Sequence, residues 1–158
     1  MRLLRQEVRP REFHRKAQGV SGRLLSLERS VTVPVSRLWG TLVAPSLWWG
    51  PDVVIEARPG GMFLEPWRDA TGAVHVTRGR VILADPARRL VLDWADEDWS
   101  FVTEVRFELT ALGETSRLAL THSGWDGAPD AERATLISAH ERGWSFHLDN
   151  LKAAAERG

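Results

Sequence analysis

The chain has 158 residues, the size of one domain, and its 21 basic and 21 acidic side chains balance at pH 7. This balance gives no reason to expect a nucleic-acid or membrane partner. The absence of cysteine excludes disulfides, thiolate metal sites and cysteine nucleophiles. No apolar run reaches the roughly 18 residues of a spanning helix, and the first residues lack the apolar core of a signal peptide. The composition therefore predicts a cytoplasmic protein.

The first 23 residues are unusually basic, with seven basic side chains and only two acidic ones. Pro10, Gly19 and Gly22 interrupt this stretch. We predict a basic N-terminal arm over residues 1–22 and a folded domain over residues 23–158. A solvated tail is the simpler interpretation of the arm. The sequence leaves open whether the arm docks on its own domain, on a second subunit or on an acidic partner.

Seven segments show the alternating or clustered apolar residues that are typical of β-strands. They cover residues 24–33, 52–57, 62–67, 74–84, 89–95, 101–112 and 116–124. Pro34 opens a short helix, which Pro45 ends or kinks. A long amphipathic helix is predicted from about Asp130 to Arg157. Because short connections favour antiparallel neighbours, we expect an α+β fold in which a curved antiparallel sheet closes round the long helix.

Six motifs occur in this order along the chain: VTVPVSRLWGTL, WWGP, RPGG, DPARRLVLDW, RLALTHSGW and HERGWSFHLDNL. Together with the order of elements, they resemble the helix-grip superfamily, which includes START domains and the birch-pollen allergen. Within it the chain is similar to the branch named after the activator of the heat-shock chaperone ATPase. Bacterial members of that branch are often called polyketide-cyclase-like or SRPBCC proteins.

The resemblance covers about residues 24–155 and implies a helix-grip fold. In this fold a seven-stranded antiparallel sheet wraps round a long C-terminal helix, with two short helical segments after the first strand. The family usually has about one more helical turn before WWGP than this chain has. We therefore expect the second helical segment to be short or irregular, and the nearby entrance to be wider or differently shaped.

The resemblance also implies a pocket between the concave sheet and the long helix. Eight tryptophans and no tyrosine occur in the chain, and filling the core is the plainer interpretation of most of them. The alternation along three strands predicts the inward-facing residues of the other wall: Leu90, Leu92, Trp94, Val105, Phe107, Leu109, Leu118, Leu120 and His122. The residues predicted to line a small-molecule site are Trp48, Trp49, Phe63, Glu65, Trp67, His75, Trp94, Val105, Phe107, His122, His140, Trp144 and Leu148.

Four polar residues are candidates to orient a ligand: Glu65, His75, His122 and His140. Glu65 shares a strand face with Phe63, which would bring it into or near the pocket, but general burial statistics favour a rim carboxylate paired with an arginine. His140 and His147 lie about 10.5 Å apart along a helix axis, too far to share one zinc ion. A site made of His122, His140 and a carboxylate is the weaker alternative, so no metal and no cofactor are predicted.

The resulting leading hypothesis is a protein that binds a small hydrophobic or amphipathic molecule, as a carrier, a sensor or a stress-related protein. The alternative is a cyclase, dehydratase or hydrolase that pairs Glu65 with His75 or His122 for acid–base chemistry. No residue is assigned as catalytic, and a non-enzymatic role is favoured. A chaperone-interacting protein, suggested by the name of the branch, is a third hypothesis. A homodimer is compatible with all three.

Overall fold

The computed structural model describes residues 24–157; the predicted basic arm, residues 1–22, lies outside the described residues. Over these described residues the chain forms seven strands and two α-helices, with a short 3₁₀ turn in two of the connections. In chain order these are β1 (Leu25–Val31), α1 (Val35–Leu42), a 3₁₀ turn (Pro45–Leu47), β2 (Val54–Ile55), β3 (Met62–Arg68), β4 (Val74–Asp85), β5 (Arg89–Asp96), β6 (Thr103–Leu112), β7 (Thr115–Ser123), a 3₁₀ turn (Trp125–Gly127) and α2 (Asp130–Arg157).

All seven strands belong to one antiparallel sheet in the order β1-β7-β6-β5-β4-β3-β2. The long helix α2 packs against β1 and α1. This arrangement confirms the predicted α+β helix-grip architecture. The predicted strand over residues 52–57 is too long, because the structure has only Val54–Ile55 there. The amide of Glu56 donates to the Met62 carbonyl, and the chain then turns back through Arg58 to Gly61.

The second helical segment is a single 3₁₀ turn, Pro45–Leu47, which confirms the expectation that it is short. The backbone amides of Trp48, Trp49 and Gly50 all donate to the Pro45 carbonyl, over 3.2, 2.8 and 3.1 Å. This shared acceptor fixes the two adjacent tryptophans at the start of the connection to β2. Both side chains are buried, with ring centroids 5.0 Å apart.

The inward-facing strand residues were predicted correctly. Six of them are fully buried between the sheet and α2: Leu90, Leu92, Val105, Phe107, Leu118 and Leu120. The same phase buries His122 and Trp94. Within residues 24–157, no helix is long and apolar enough to cross a membrane.

Candidate functional site

Five aromatic side chains meet between the sheet and α2: Trp49, Phe63, Trp94, Phe107 and Trp144, here called the interior aromatic cluster. Trp94 stacks on Phe63 with centroids 5.2 Å apart and on Trp49 at 6.1 Å. Trp144 lies 5.1 Å from Trp94 and 5.7 Å from Phe107. Each of the five side chains is at most 2% exposed. Rings that were predicted as cavity walls therefore contact one another.

Glu65 reaches into this cluster from β3. Its side chain is fully buried, and the indole N–H of Trp49 donates to its Oε2 over 2.9 Å. The structure thus places Glu65 in the interior and not at a rim. Val105, Trp48 and Leu148, the remaining predicted interior residues, are also buried.

His122 is held in one neutral tautomer by its neighbours. The indole N–H of Trp144 donates to Nδ1 over 3.1 Å, so Nδ1 carries no proton. The Thr103 hydroxyl donates to the Trp94 carbonyl over 2.8 Å, so it accepts from the His122 Nε2–H over 2.7 Å. Both ring nitrogens are engaged in holding other side chains in place.

Both ring nitrogens of His140 are also hydrogen-bonded. Its Nδ1–H donates to the Leu136 carbonyl over 2.9 Å, and its Nε2 accepts from the Trp94 indole N–H over 3.4 Å. The rings of His140 and His122 lie 5.3 Å apart. Among residues 24–157, no group of three or more histidine, cysteine, aspartate or glutamate side chains is arranged to hold a metal ion. Together with Glu65, the two histidines accept hydrogen bonds from three buried tryptophan indoles.

A cleft of about 520 Å³ opens at one end of the sheet, between the β5–β6 connection and the start of α2. We call it the end cleft. Its walls combine aromatic faces with carboxylates, and they are formed by Trp67, His75, Asp96, Glu97, Asp98, Trp99, Ser100, Phe101, Pro129, Glu132 and Leu136. Trp99 lies 5.6 Å from the His140 ring, so the cleft adjoins the interior.

The predicted site residues separate into two groups in the structure. Only Trp67 and His75 line the end cleft, and all the others are buried in the interior. The predicted site omits residues 96–101, because the DEDW stretch lies between the predicted strands 89–95 and 101–112 and was interpreted only as their connection. The signal that could have found them is the occurrence of three acidic and two aromatic side chains within the six residues 96–101.

His75, one of the residues that line the end cleft, is clamped between two carboxylates. Its Nε2 lies 2.7 Å from Asp69 Oδ2 and its Nδ1 lies 3.0 Å from Glu97 Oε2. The ring also stacks on Trp67, with centroids 4.7 Å apart. The hydrogen bonds to Asp69 and then Glu97 raise the pKa of His75. Hydrogen bonds from Thr71 and then His75 hold the pKa of Asp69 well below its usual range.

We expect His75 to titrate above its usual pKa of 6.5. Since the folded state raises this pKa, the clamp stabilises the fold fully below pH 6.5 and loses its effect as pH rises through the folded pKa. An NMR titration of the His75 ring protons measures it. Asp69→Asn should lower the pKa more than Glu97→Gln, because Asp69 makes the larger contribution. A pKa unchanged by Asp69→Asn would contradict the clamp.

The seven-stranded sheet and its long C-terminal helix define a helix-grip protein with an aromatic interior. Residues 32–156 match the family model described as Activator of Hsp90 ATPase homolog 1-like protein. The chain therefore belongs to this family. Among curated proteins, none has a sequence that matches this chain.

Several solved structures share the fold. Protein CV1439 from Chromobacterium violaceum is 23% identical, with a TM-score of 0.69 over 85% of this chain and 97% of that one. CalU16 from Micromonospora echinospora is 21% identical, with a TM-score of 0.66 over 84% and 75%. The Aha1 dimer from Colwellia psychrerythraea is 18% identical, with a TM-score of 0.67 over 84% and 96%. At these identities the likeness concerns the fold.

Proposed function

We propose that the protein binds a small amphipathic molecule in the end cleft. The observation that carries the proposal is the cleft itself, about 520 Å³ between the sheet and the start of α2. Pockets for small molecules usually measure about 300–1,000 Å³ and combine apolar walls with a few polar groups. The end cleft has both the volume and this mixture of walls.

The side chains of the cleft indicate the chemistry of its ligand. Trp67, Trp99 and Phe101 offer aromatic faces, which attract apolar groups and cations. Carboxylates dominate the polar part of the wall, and the charge of His75 is offset by its two carboxylate partners. We therefore favour a ligand with an aromatic or aliphatic body and a cationic or hydrogen-bond-donating group.

The interior supports binding over proton-transfer chemistry. The buried His122 and His140 each accept from a tryptophan indole and donate to an oxygen atom. A general acid or base must reach a reacting proton, whereas these nitrogens are engaged in packing. The enzyme alternative, which paired Glu65 with a histidine, gains no support from this arrangement.

Blocking the cleft should weaken dye binding. Ser100→Phe places a ring inside the cleft, and Ser36→Phe makes the same change on the exposed face of α1. We expect Ser100→Phe to weaken binding of the cationic dye rhodamine 6G about tenfold or more, since about 1.4 kcal/mol of lost contact is tenfold. The measurement is fluorescence anisotropy of the dye.

Ser36→Phe should bind the dye like the unchanged protein. The anionic dye 8-anilinonaphthalene-1-sulfonate should bind more weakly than rhodamine 6G, because the wall is acidic. Equal affinities of the two variants for rhodamine 6G would overturn the assignment of the cleft.

The homodimer expected from the sequence is also a proposal. Its support is the dimer described for the relative from Colwellia psychrerythraea. Sedimentation equilibrium of the full chain tests it: a mass of twice 17.8 kDa is expected, and a monomer at all concentrations would contradict it.

A further inference from the structure

We propose that the basic arm, residues 1–22, docks in the end cleft of its own domain. The inference rests on three observations: where the arm joins the domain, the charge of the cleft and the aromatic faces inside it. It concerns the same cleft as the proposed function but needs no ligand.

The arm joins the domain at the same end of the sheet as the end cleft. β1 begins at Leu25, which pairs with His122 on β7. His122 contacts Thr103 at the start of β6, and Thr103 pairs with Trp94 near the end of β5. The first residue of β1 therefore lies at the sheet end that carries the β5–β6 connection.

The distance from the junction to the cleft is short compared with the length of the arm. β1 and β5 are separated by three strand spacings, or about 14 Å at about 4.8 Å per strand. An extended chain covers about 3.3 Å per residue, so roughly five residues cross this distance. The remaining residues of the arm are long enough to fill the cleft.

The charges of the two partners are complementary. Residues 1–22 contain six basic side chains and two acidic ones. The cleft wall contains Asp96, Glu97, Asp98 and Glu132, and neither lysine nor arginine is among the described residues that line it. Five of the six basic residues of the arm are arginines, whose planar guanidinium pairs with carboxylates and stacks on aromatic rings.

The aromatic rings in the cleft wall favour arginine over other cationic groups. Trp99 stacks on Phe101 with centroids 4.4 Å apart, and Trp67 stacks on His75 with centroids 4.7 Å apart. All four rings are only partly buried and line the cleft. An arginine side chain can pair with a carboxylate and stack on a neighbouring aromatic ring, which a simple cation such as lysine's ammonium does less well.

Because the chain has no cysteine, site-specific cross-linking can test the docking on the full protein. Gln6→Cys is combined with Ser100→Cys in the cleft, or with Ser26→Cys on the exposed face of β1. Ser26 is close to the junction, so an arm that does not dock would react there at least as readily. A flexible bismaleimide joins the two thiols, and mass spectrometry measures the yield.

We expect the monomeric cross-link at Ser100 to exceed that at Ser26. Asp98→Asn with Glu132→Gln should lower the Ser100 yield about fivefold, which corresponds to about 1 kcal/mol of docking free energy. The matched control, Asp52→Asn with Glu114→Gln, removes the same charge from exposed sites outside the cleft lining and should leave the yield unchanged.

Three results would overturn the proposal: a Ser26 yield equal to or above that of Ser100, a Ser100 yield insensitive to the cleft charges, or cross-linked dimers in place of monomers. The last would place the arm on a second copy. No dye is present, so failure here is separate from failure of the proposed ligand site. If both proposals hold, the arm competes with the ligand, a consequence that rests on the proposed function.

Discussion

Replacing Trp49 with alanine should lower the free energy of unfolding by about 3–5 kcal/mol, the usual cost of deleting a large buried aromatic side chain. Trp49 is completely buried and contacts five other aromatic rings, those of Trp48, Phe63, Trp94, Trp144 and His147. Its removal leaves a cavity at the centre of the interior. It also removes the N–H that donates to the buried Glu65. Urea unfolding followed by circular dichroism measures the loss.

Two further variants separate ring packing from the hydrogen bond. Trp49→Phe keeps an aromatic ring but removes the N–H, so we expect a smaller loss of about 1–3 kcal/mol. Trp39→Ala is the matched control, because Trp39 is only partly buried at the edge of the same core. It should cost about 1–2 kcal/mol. A larger loss for Trp39→Ala than for Trp49→Ala would contradict a core centred on Trp49.

The alternation of apolar residues predicted most of the sheet because burial on one face leaves a period of two in the sequence. Val105 and Phe107 on β6, and Leu118 and Leu120 on β7, were assigned to the interior on this basis and are buried there. The predicted second strand was too long because β2 is an edge strand that pairs only with β3. Its end is set by a turn and not by its β-branched composition.

The polar contacts of the site could not be predicted in this way. Glu65 accepts from Trp49, 16 positions earlier, and His140 accepts from Trp94, 46 positions earlier. Such pairs depend on the closure of the sheet round α2 and leave no period in the sequence. The surroundings of His75 are easier to predict from the sequence, because the register of the β3–β4 hairpin places Trp67 opposite His75. Asp69 then lies in the connecting turn.

His122→Leu should cost about 2–4 kcal/mol of unfolding free energy, because it removes two buried hydrogen bonds and leaves one buried N–H without an acceptor. The Trp144 indole N–H loses its acceptor, and the Thr103 hydroxyl loses the donor on Nε2. Leucine keeps much of the apolar volume, so most of the loss comes from these unmade hydrogen bonds. Chemical denaturation of the variant measures the cost.

A double-mutant cycle isolates the contact between His122 and Trp144. With Trp144→Phe in place, His122→Leu no longer leaves an indole N–H without an acceptor. The double variant should therefore lose about 1–2 kcal/mol less unfolding free energy than the sum of the two single-variant losses. Trp48→Phe supplies the control cycle, because the Trp48 indole donates instead to the Leu42 carbonyl over 3.2 Å. Its coupling to His122 should be near zero. Equal coupling in both cycles would mean that His122 acts through general packing and not as the acceptor for Trp144.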